Sequence, residues 1–355
     1  MTPKEMVFQT LQCKPGVPMP VTAHWWGLYK FAHAGLLHGY EDADNGWRLN
    51  GAALADVDGR FYEDFRPDTF HLSAGGRKRD VDWFDDRADA ENRRLIEAVR
   101  ALESRAAVDE YFDMISETRA QVLDGGEFEH LRHLKARYPD VPLFMNEGNP
   151  ISCILDPHGC VGFENGLIAL IEEPEMMEYL INRAYDAILP RMEALKDCGA
   201  DGYIGSETYC TPDLISPATW RSLIYPAQKR FYGRLRKMGL ISISYFLGDV
   251  LPLIEDLKQM NLDGLMVEEP KKQYALDIGE IYDRLERQVC LFGNLDSVYV
   301  LERGSRDDVI RETRRQIQRC NRGGFIMTNG CPISFGTPAE NIHAMLDTVR
   351  ESRAI

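Results

Sequence analysis

Val289-Cys-Leu-Phe-Gly-Asn-Leu-Asp-Ser297 and Gly323-Gly-Phe-Ile-Met-Thr-Asn-Gly-Cys331 are two apolar runs that each stop abruptly at polar residues. A run of about five apolar residues bounded by Gly and Asn suits a strand covered on both faces, as in parallel sheets. In such sheets ligands collect outside the carboxyl ends of the strands. Cys331 therefore falls where chemistry is expected.

Six earlier runs have the same character: Val21 to Trp26, Pro67 to Ala74, Pro142 to Asn149, Ala200 to Glu207, Leu240 to Gly248 and Leu262 to Pro270. Helix signals lie between most of them. Ser216-Pro217 reads as N-cap and first helical residue before a segment closed by Lys237 and Gly239. Thr337-Pro-Ala-Glu340 reads as a capping box, followed by Ile342, Met345, Leu346 and Val349 on one face. Eight strands alternating with helices predict an α/β fold of the (β/α)8 TIM barrel type. Strand count alone leaves an open doubly wound sheet as the alternative.

The spacing is uneven between the second and third runs. There the stretch from Asp80 to Tyr138 is charged and helical in period, with Leu95, Ile96, Val99 and Leu102, then Tyr111, Ile115 and Val122. It predicts extra helices between strands 2 and 3. No Gly/Ser- or Pro-rich linker marks a boundary, so residues 1–355 are read as a single domain.

The chain has 355 residues, 44% hydrophobic and 27% charged, with a formal charge of −15. That acidity argues against a nucleic-acid partner, because a phosphate backbone requires a concentrated basic surface and the short basic cluster is Arg77-Lys-Arg79. No apolar stretch approaches the roughly 20 residues of a membrane span, and Met1-Thr-Pro-Lys-Glu5 lacks a signal-peptide pattern. A cytoplasmic location is expected. The eight cysteines are scattered and lack a CxxC pair, so reduced thiols are the default.

Several motifs together resemble the uroporphyrinogen decarboxylase superfamily: Gly248-Asp-Val-Leu-Pro-Leu-Ile254, Gly293-Asn-Leu-Asp296, Asp213-Leu-Ile-Ser-Pro217, Gly199-Ala-Asp-Gly202, and Thr328-Asn-Gly-Cys-Pro-Ile-Ser-Phe-Gly-Thr-Pro-Ala-Glu-Asn341. The resemblance implies a (β/α)8 barrel. It also implies one of two chemistries, porphyrinogen decarboxylation or corrinoid-dependent methyl transfer. The decarboxylases carry paired arginines after the first strand's proline, whereas Pro20-Val-Thr-Ala-His-Trp-Trp-Gly-Leu-Tyr-Lys30 has none. Cys331 stands where they have a histidine, and this is the residue type of the methyltransferase branch. That branch implies zinc held by a His-x-Cys pair after the fifth strand together with the late cysteine. Here Tyr245 and Leu247 occupy the pair's positions. The expectation is therefore an O-demethylase component, passing a methyl group from a methoxylated aromatic or other small donor to cobalamin on a separate corrinoid protein.

Glu207, Tyr245 and Cys331 are the expected catalytic residues, from the ends of the fourth, fifth and eighth strands. Glu207 or Tyr245 would stabilise the leaving oxygen as a general acid. His24, Trp25, Trp26, His71 and Asn146 are the expected substrate-binding residues, the tryptophans with Tyr29 forming an aromatic floor. A metal site from Cys331, Glu207 and one of His24 or His71 is left open. Each side chain also has a packing reading: Glu207 in an internal ion pair, Tyr245 as filler, Cys331 as a small apolar residue, the tryptophans and histidines as core. Asp249 reads as a helix cap; Asn294 and Asp296 as ligand contacts or loop ties; and one of Glu268 and Glu269 as inward-pointing. A lyase acting on a smaller acid, using Arg48, Arg60 or Arg66, and a non-catalytic binding barrel are the alternatives. The oligomeric state is not readable, and a homodimer is left open.

Overall fold

The computed structural model describes residues 1–25, 27–36, 49–73, 90–270 and 276–353. Trp26, Arg48 and the basic cluster 77–79 lie outside these residues. Seven parallel strands form one sheet in sequence order: β1 (Phe70–Ser73), β2 (Leu143–Gly148), β3 (Gly202–Glu207), β4 (Ile241–Phe246), β5 (Gly264–Val267), β6 (Cys290–Phe292) and β7 (Phe325–Ile326). They fall within the second to eighth apolar runs, with helices between them. The architecture is α/β and TIM-barrel-like.

The first run differs from the others. It makes a single parallel bridge, Val21 to Met327, in place of a ladder. Side chains supply what a ladder would have supplied. The Val21 amide donates to the Asp68 carboxylate (2.7 Å), and the His24 amide donates to Asn329 Oδ1 (2.9 Å). Asn329 Nδ2 returns a bond to the His24 carbonyl (2.8 Å). Backbone bonds from Thr22 N to Met327 O and from Asp68 N to Val21 O (2.9 and 2.8 Å) put the segment between β7 and the residues leading into β1. Buried main-chain groups need partners of some kind, and here polar side chains serve.

Alternation along the strands divides the core in two. Phe144, Ile204, Ile243, Tyr245, Met266, Cys290, Phe292 and Ile326 form an inner cluster. Val7 and Leu11 of the helix Pro3–Leu11 join it, held by a capping box between Thr2 and Glu5 and by a Lys4–Asp201 ion pair (2.7 Å). The opposite faces pack against the helices in a cluster that extends from Val21 to Val349. Ile342, Met345, Leu346 and Val349 of the last helix are all fully buried in it. Each such side chain stabilises the fold by about 1.5–3 kcal/mol relative to exposure.

Four helices, Ala90–Arg100, Arg105–Ile115, Arg119–Gly125 and Glu129–Arg137, lie between β1 and β2. Polar links join them to the main helices: Tyr179 to Asp109 (2.8 Å), Arg183 to Asp113 (3.0 Å), and Tyr138 to Glu63 (2.8 Å). The Thr337 capping box does not form. The last helix begins at Ala339 with Pro338 as N-cap, and the Thr337 hydroxyl pairs with Ser334 Oγ (3.2 Å). Ser216 does cap Pro217–Thr219, through Thr219 N (3.1 Å). Among the described residues no helix is long and apolar enough to cross a membrane.

Candidate functional site

The carboxyl ends of the strands gather His24, His71, Tyr245 and Cys331. His71, on β1, pairs in register with the inward Phe144. Its ring stacks on His24 with centroids 4.6 Å apart and planes within 9°. Tyr245 meets His24 edge-on, also at 4.6 Å. Its hydroxyl lies 3.4 Å from the Cys331 thiol. These three rings are buried, whereas Cys331, Asn146 and Ser206 are partly exposed. Ser206 Oγ donates to Asn146 Oδ1 (3.3 Å). The result is a buried floor of two imidazoles and a phenol under a partly exposed, thiol-bearing rim.

The Thr328-Asn-Gly-Cys331 turn is held from several sides. Asn329 Nδ2 donates to the Cys331 carbonyl (2.6 Å), as does the Ser297 hydroxyl, and the Cys331 amide donates to Glu269 Oε2 (2.6 Å). Gly330 is required by close approach, since a Cβ there would collide with the Glu269 backbone nitrogen. Glu268 has a parallel task. Its Oε1 accepts from the Gly248 amide (2.7 Å), in a turn where Gly248 has φ +89° and a side chain would be strained. Both glutamates thus anchor loops at the strand ends. Asp249 caps the turn that follows, through Leu251 N (3.0 Å). Asp296 caps Ser297–Glu302, and Asn294 bonds the carbonyls of Glu268 and Leu276 (3.3 and 3.0 Å), so both tie loops.

Burial sets the protonation of this group. It pushes the Tyr245 phenol well above its usual value, with Cys331 adding to the shift, so the hydroxyl stays protonated. Burial also holds His71 well below the usual imidazole range, helped by His24 and Lys30. Behind His71, Lys30 and Asp58 form a fully buried ion pair, and Lys30 Nζ also donates to the His71 carbonyl (3.4 Å). Neither residue was expected at the site; a lysine four residues into a short helix carries no motif.

The structure does not bring Glu207 to this group. Its strand neighbours Ile204 and Ser206 face inward, so Glu207 faces the helix layer. There it accepts from Gln228 Nε2 (2.7 Å), Tyr232 OH (2.7 Å), Cys210 Sγ (2.9 Å) and Asn149 Nδ2. Burial raises its pKa to about 7. The carboxylate is a buried brace between β3 and the helix Tyr225–Lys237. Trp25 is likewise turned outward, against Phe61 with centroids 3.7 Å apart, and Tyr29 also packs on Phe61. The ring floor is made of His24, His71 and Tyr245 instead.

A metal at Cys331 and Glu207 is therefore excluded by position. Among the described residues no three His, Cys, Asp or Glu side chains are grouped to hold a metal ion. The positions of the zinc-binding His-x-Cys pair hold Tyr245 and Leu247. The residues present do not fit zinc.

With this geometry in place, the chain was compared with known proteins. Residues 112–352 match the family model "Uroporphyrinogen decarboxylase (URO-D)". The chain belongs to the URO-D family. Within it, a methylcobamide:CoM methyltransferase MtaA of Methanosarcina barkeri is 25% identical over 59% of this chain and 58% of its own length. A methylated-thiol–coenzyme M methyltransferase of Methanosarcina mazei is 24% identical over 54% and 49%. A uroporphyrinogen decarboxylase of Crocosphaera subtropica is 23% identical over 50% and 48%. The chain thus spans about half to three fifths of the curated relatives it matches. A solved structure, a methyltransferase from Methanosarcina mazei, superposes with TM-score 0.73 over 99% of both chains at 17% identity, which bears on the fold. This URO-D member resembles the methyltransferase branch.

Proposed function

We propose that this protein is the substrate-specific methyltransferase of a corrinoid-dependent system. It would take a methyl group from a small donor, a methoxylated aromatic by preference, and pass it to a corrinoid on a separate protein. The reading treats the chain as one domain with additional helices between the first two full strands, and the bridge-length segment at Val21 as the eighth stave of a closed barrel. The observation that carries it is the contact of Tyr245 with Cys331 above the stacked imidazoles. Relatives named as a methylcobamide:CoM methyltransferase and a methylated-thiol–coenzyme M methyltransferase support it.

The corrinoid supplies the cobalt that accepts the methyl group. This chain's share is orientation and stabilisation of the leaving oxygen. The donor's ring would pack at the rim beside the buried His24–His71–Tyr245 cluster. A donor oxygen placed where the Cys331 thiol now meets Tyr245 would take the phenol's hydrogen bond. As the carbon–oxygen bond breaks, the oxygen keeps the electron pair, leaves as a phenolate bonded to Tyr245, and is protonated by solvent on release. Asn146 and Ser206 orient ring substituents from the rim. The lyase reading is weaker, because Arg66 caps the helix Gly51–Phe65 ahead of β1, at the opposite end of the sheet, and Arg60 is exposed on that helix.

Incubation with cob(I)alamin and a panel of methoxylated aromatics, with methylated thiols in a parallel arm, tests the proposal through methylcobalamin absorbance. Transfer from the aromatic ethers supports it. Transfer from thiols alone changes the donor class, and silence with every donor removes it.

A further inference from the structure

Outside the strand-end site, a cavity of about 430 Å³ opens beside the carboxyl end of β2, between the helices Arg105–Ile115 and Pro174–Ala187. That volume lies in the range of small-molecule sites. None of the four residues His24, His71, Tyr245 and Cys331 lines it. Its wall is apolar over much of its surface, with Tyr111 and Phe112 in edge-to-face contact at 5.3 Å.

The charged groups of the wall are asymmetric. Among the described lining residues, one cation, Arg191, faces three carboxylates, Glu117, Glu147 and Asp156. Arg191 is already committed. Its Nε donates to Glu147 Oε2 (2.6 Å), its Nη2 to Glu147 Oε1 (3.2 Å), and its Nη1 contacts the buried Glu127. An anionic ligand would find the guanidinium taken and surplus carboxylates around it. A cationic one would meet Glu117 and Asp156, beside the Tyr111 and Phe112 rings that line the wall.

We propose that this cavity is a second small-molecule site, selective for neutral or cationic ring compounds over anionic ones. Its occupant would brace the end of β2 at Glu147–Asn149, which lies directly after Asn146 at the rim of the first site. The inference stands apart from the proposed methyl transfer, since it needs neither corrinoid nor methyl donor.

Calorimetry on the whole chain with indole, tryptamine and indole-3-acetate tests it, the three sharing one ring and differing in charge. Tryptamine should bind best and indole-3-acetate about tenfold or more weaker, as expected for a charge placed among surplus carboxylates. Ala187→Trp, which fills the cavity, should abolish tryptamine binding. Glu117→Lys, at the half-exposed edge, should narrow the preference for tryptamine by about threefold or more, and decides the matter if the tryptophan variant does not fold. Absence of tryptamine binding, equal binding of tryptamine and indole-3-acetate, or unchanged binding in either folded variant would overturn the proposal.

Discussion

The phenolic oxygen of Tyr245 and the thiol of Cys331 face each other at 3.4 Å, though they are separated by 86 residues of chain. Under the proposed function this phenol bonds the leaving oxygen. Tyr245→Phe keeps the ring and its contact with His24, so the variant should fold as the parent does. Methyl transfer should fall by about 10²-fold or more in kcat with little change in KM, the size expected of a lost positioned donor. Single-turnover absorbance reads it, and an unchanged rate would remove Tyr245 from the chemistry.

Glu207 titrates for the sake of the fold. Its pKa is raised from the usual carboxylate value to about 7 by burial. A raised carboxylate pKa means the folded state binds its proton more tightly than the unfolded chain. The stability from this group is therefore complete below about pH 4.5 and is lost as pH rises towards 7. Relative to Glu207→Gln, the wild type should lose on the order of 3 kcal/mol across that window. Urea titrations at pH 4.5, 6 and 7.5 measure the difference, and parallel curves for the two proteins would contradict it.

The Lys30–Asp58 pair is buried at both side chains. Burial raises the Asp58 pKa, and Lys30 partly offsets this. Lys30→Met should cost about 3–5 kcal/mol, because it strands a buried carboxylate. The deficit should shrink as pH falls and Asp58 protonates. Lys30→Met with Asp58→Leu should recover much of the loss, as measured by denaturant midpoint. A double variant no better than the single would show that the pair's packing matters more than its charge.

Asn329 acts as a side-chain strand partner for His24 and also holds the Cys331 carbonyl. Asn329→Ala leaves those buried backbone groups without it and should destabilise by about 3 kcal/mol. Faster hydrogen exchange at the His24 amide should accompany the loss. Unchanged protection there would count against the clamp.

The seven full strands were legible because each is a short apolar run with a polar or glycine end. Which way a side chain points was not. A strand buried on both faces has no polar–apolar alternation to give its parity, so Glu207 and Trp25 were read as inward while both face helices. Tyr245, His24 and His71 were read as lying near strand ends, and their rings do meet one another. Asn146 shares the inward parity of Phe144, and Cys331 lies in the turn beyond β7. The Asn329 clamp and the Lys30–Asp58 pair depend on contacts between distant segments, and no local pattern announces such contacts. The Thr337 cap failed for a local reason: its hydroxyl found Ser334, and proline took the cap position.

The clamp between His24 and Asn329 joins positions 305 residues apart. A ribosome adding roughly 5–20 residues per second leaves His24 waiting some fifteen seconds to a minute before Asn329 is made. Throughout that interval Val21 and Ala23 have no β7 to lie against. The segment from Val21 to His24 can therefore be pinned in place only after that late residue has been made.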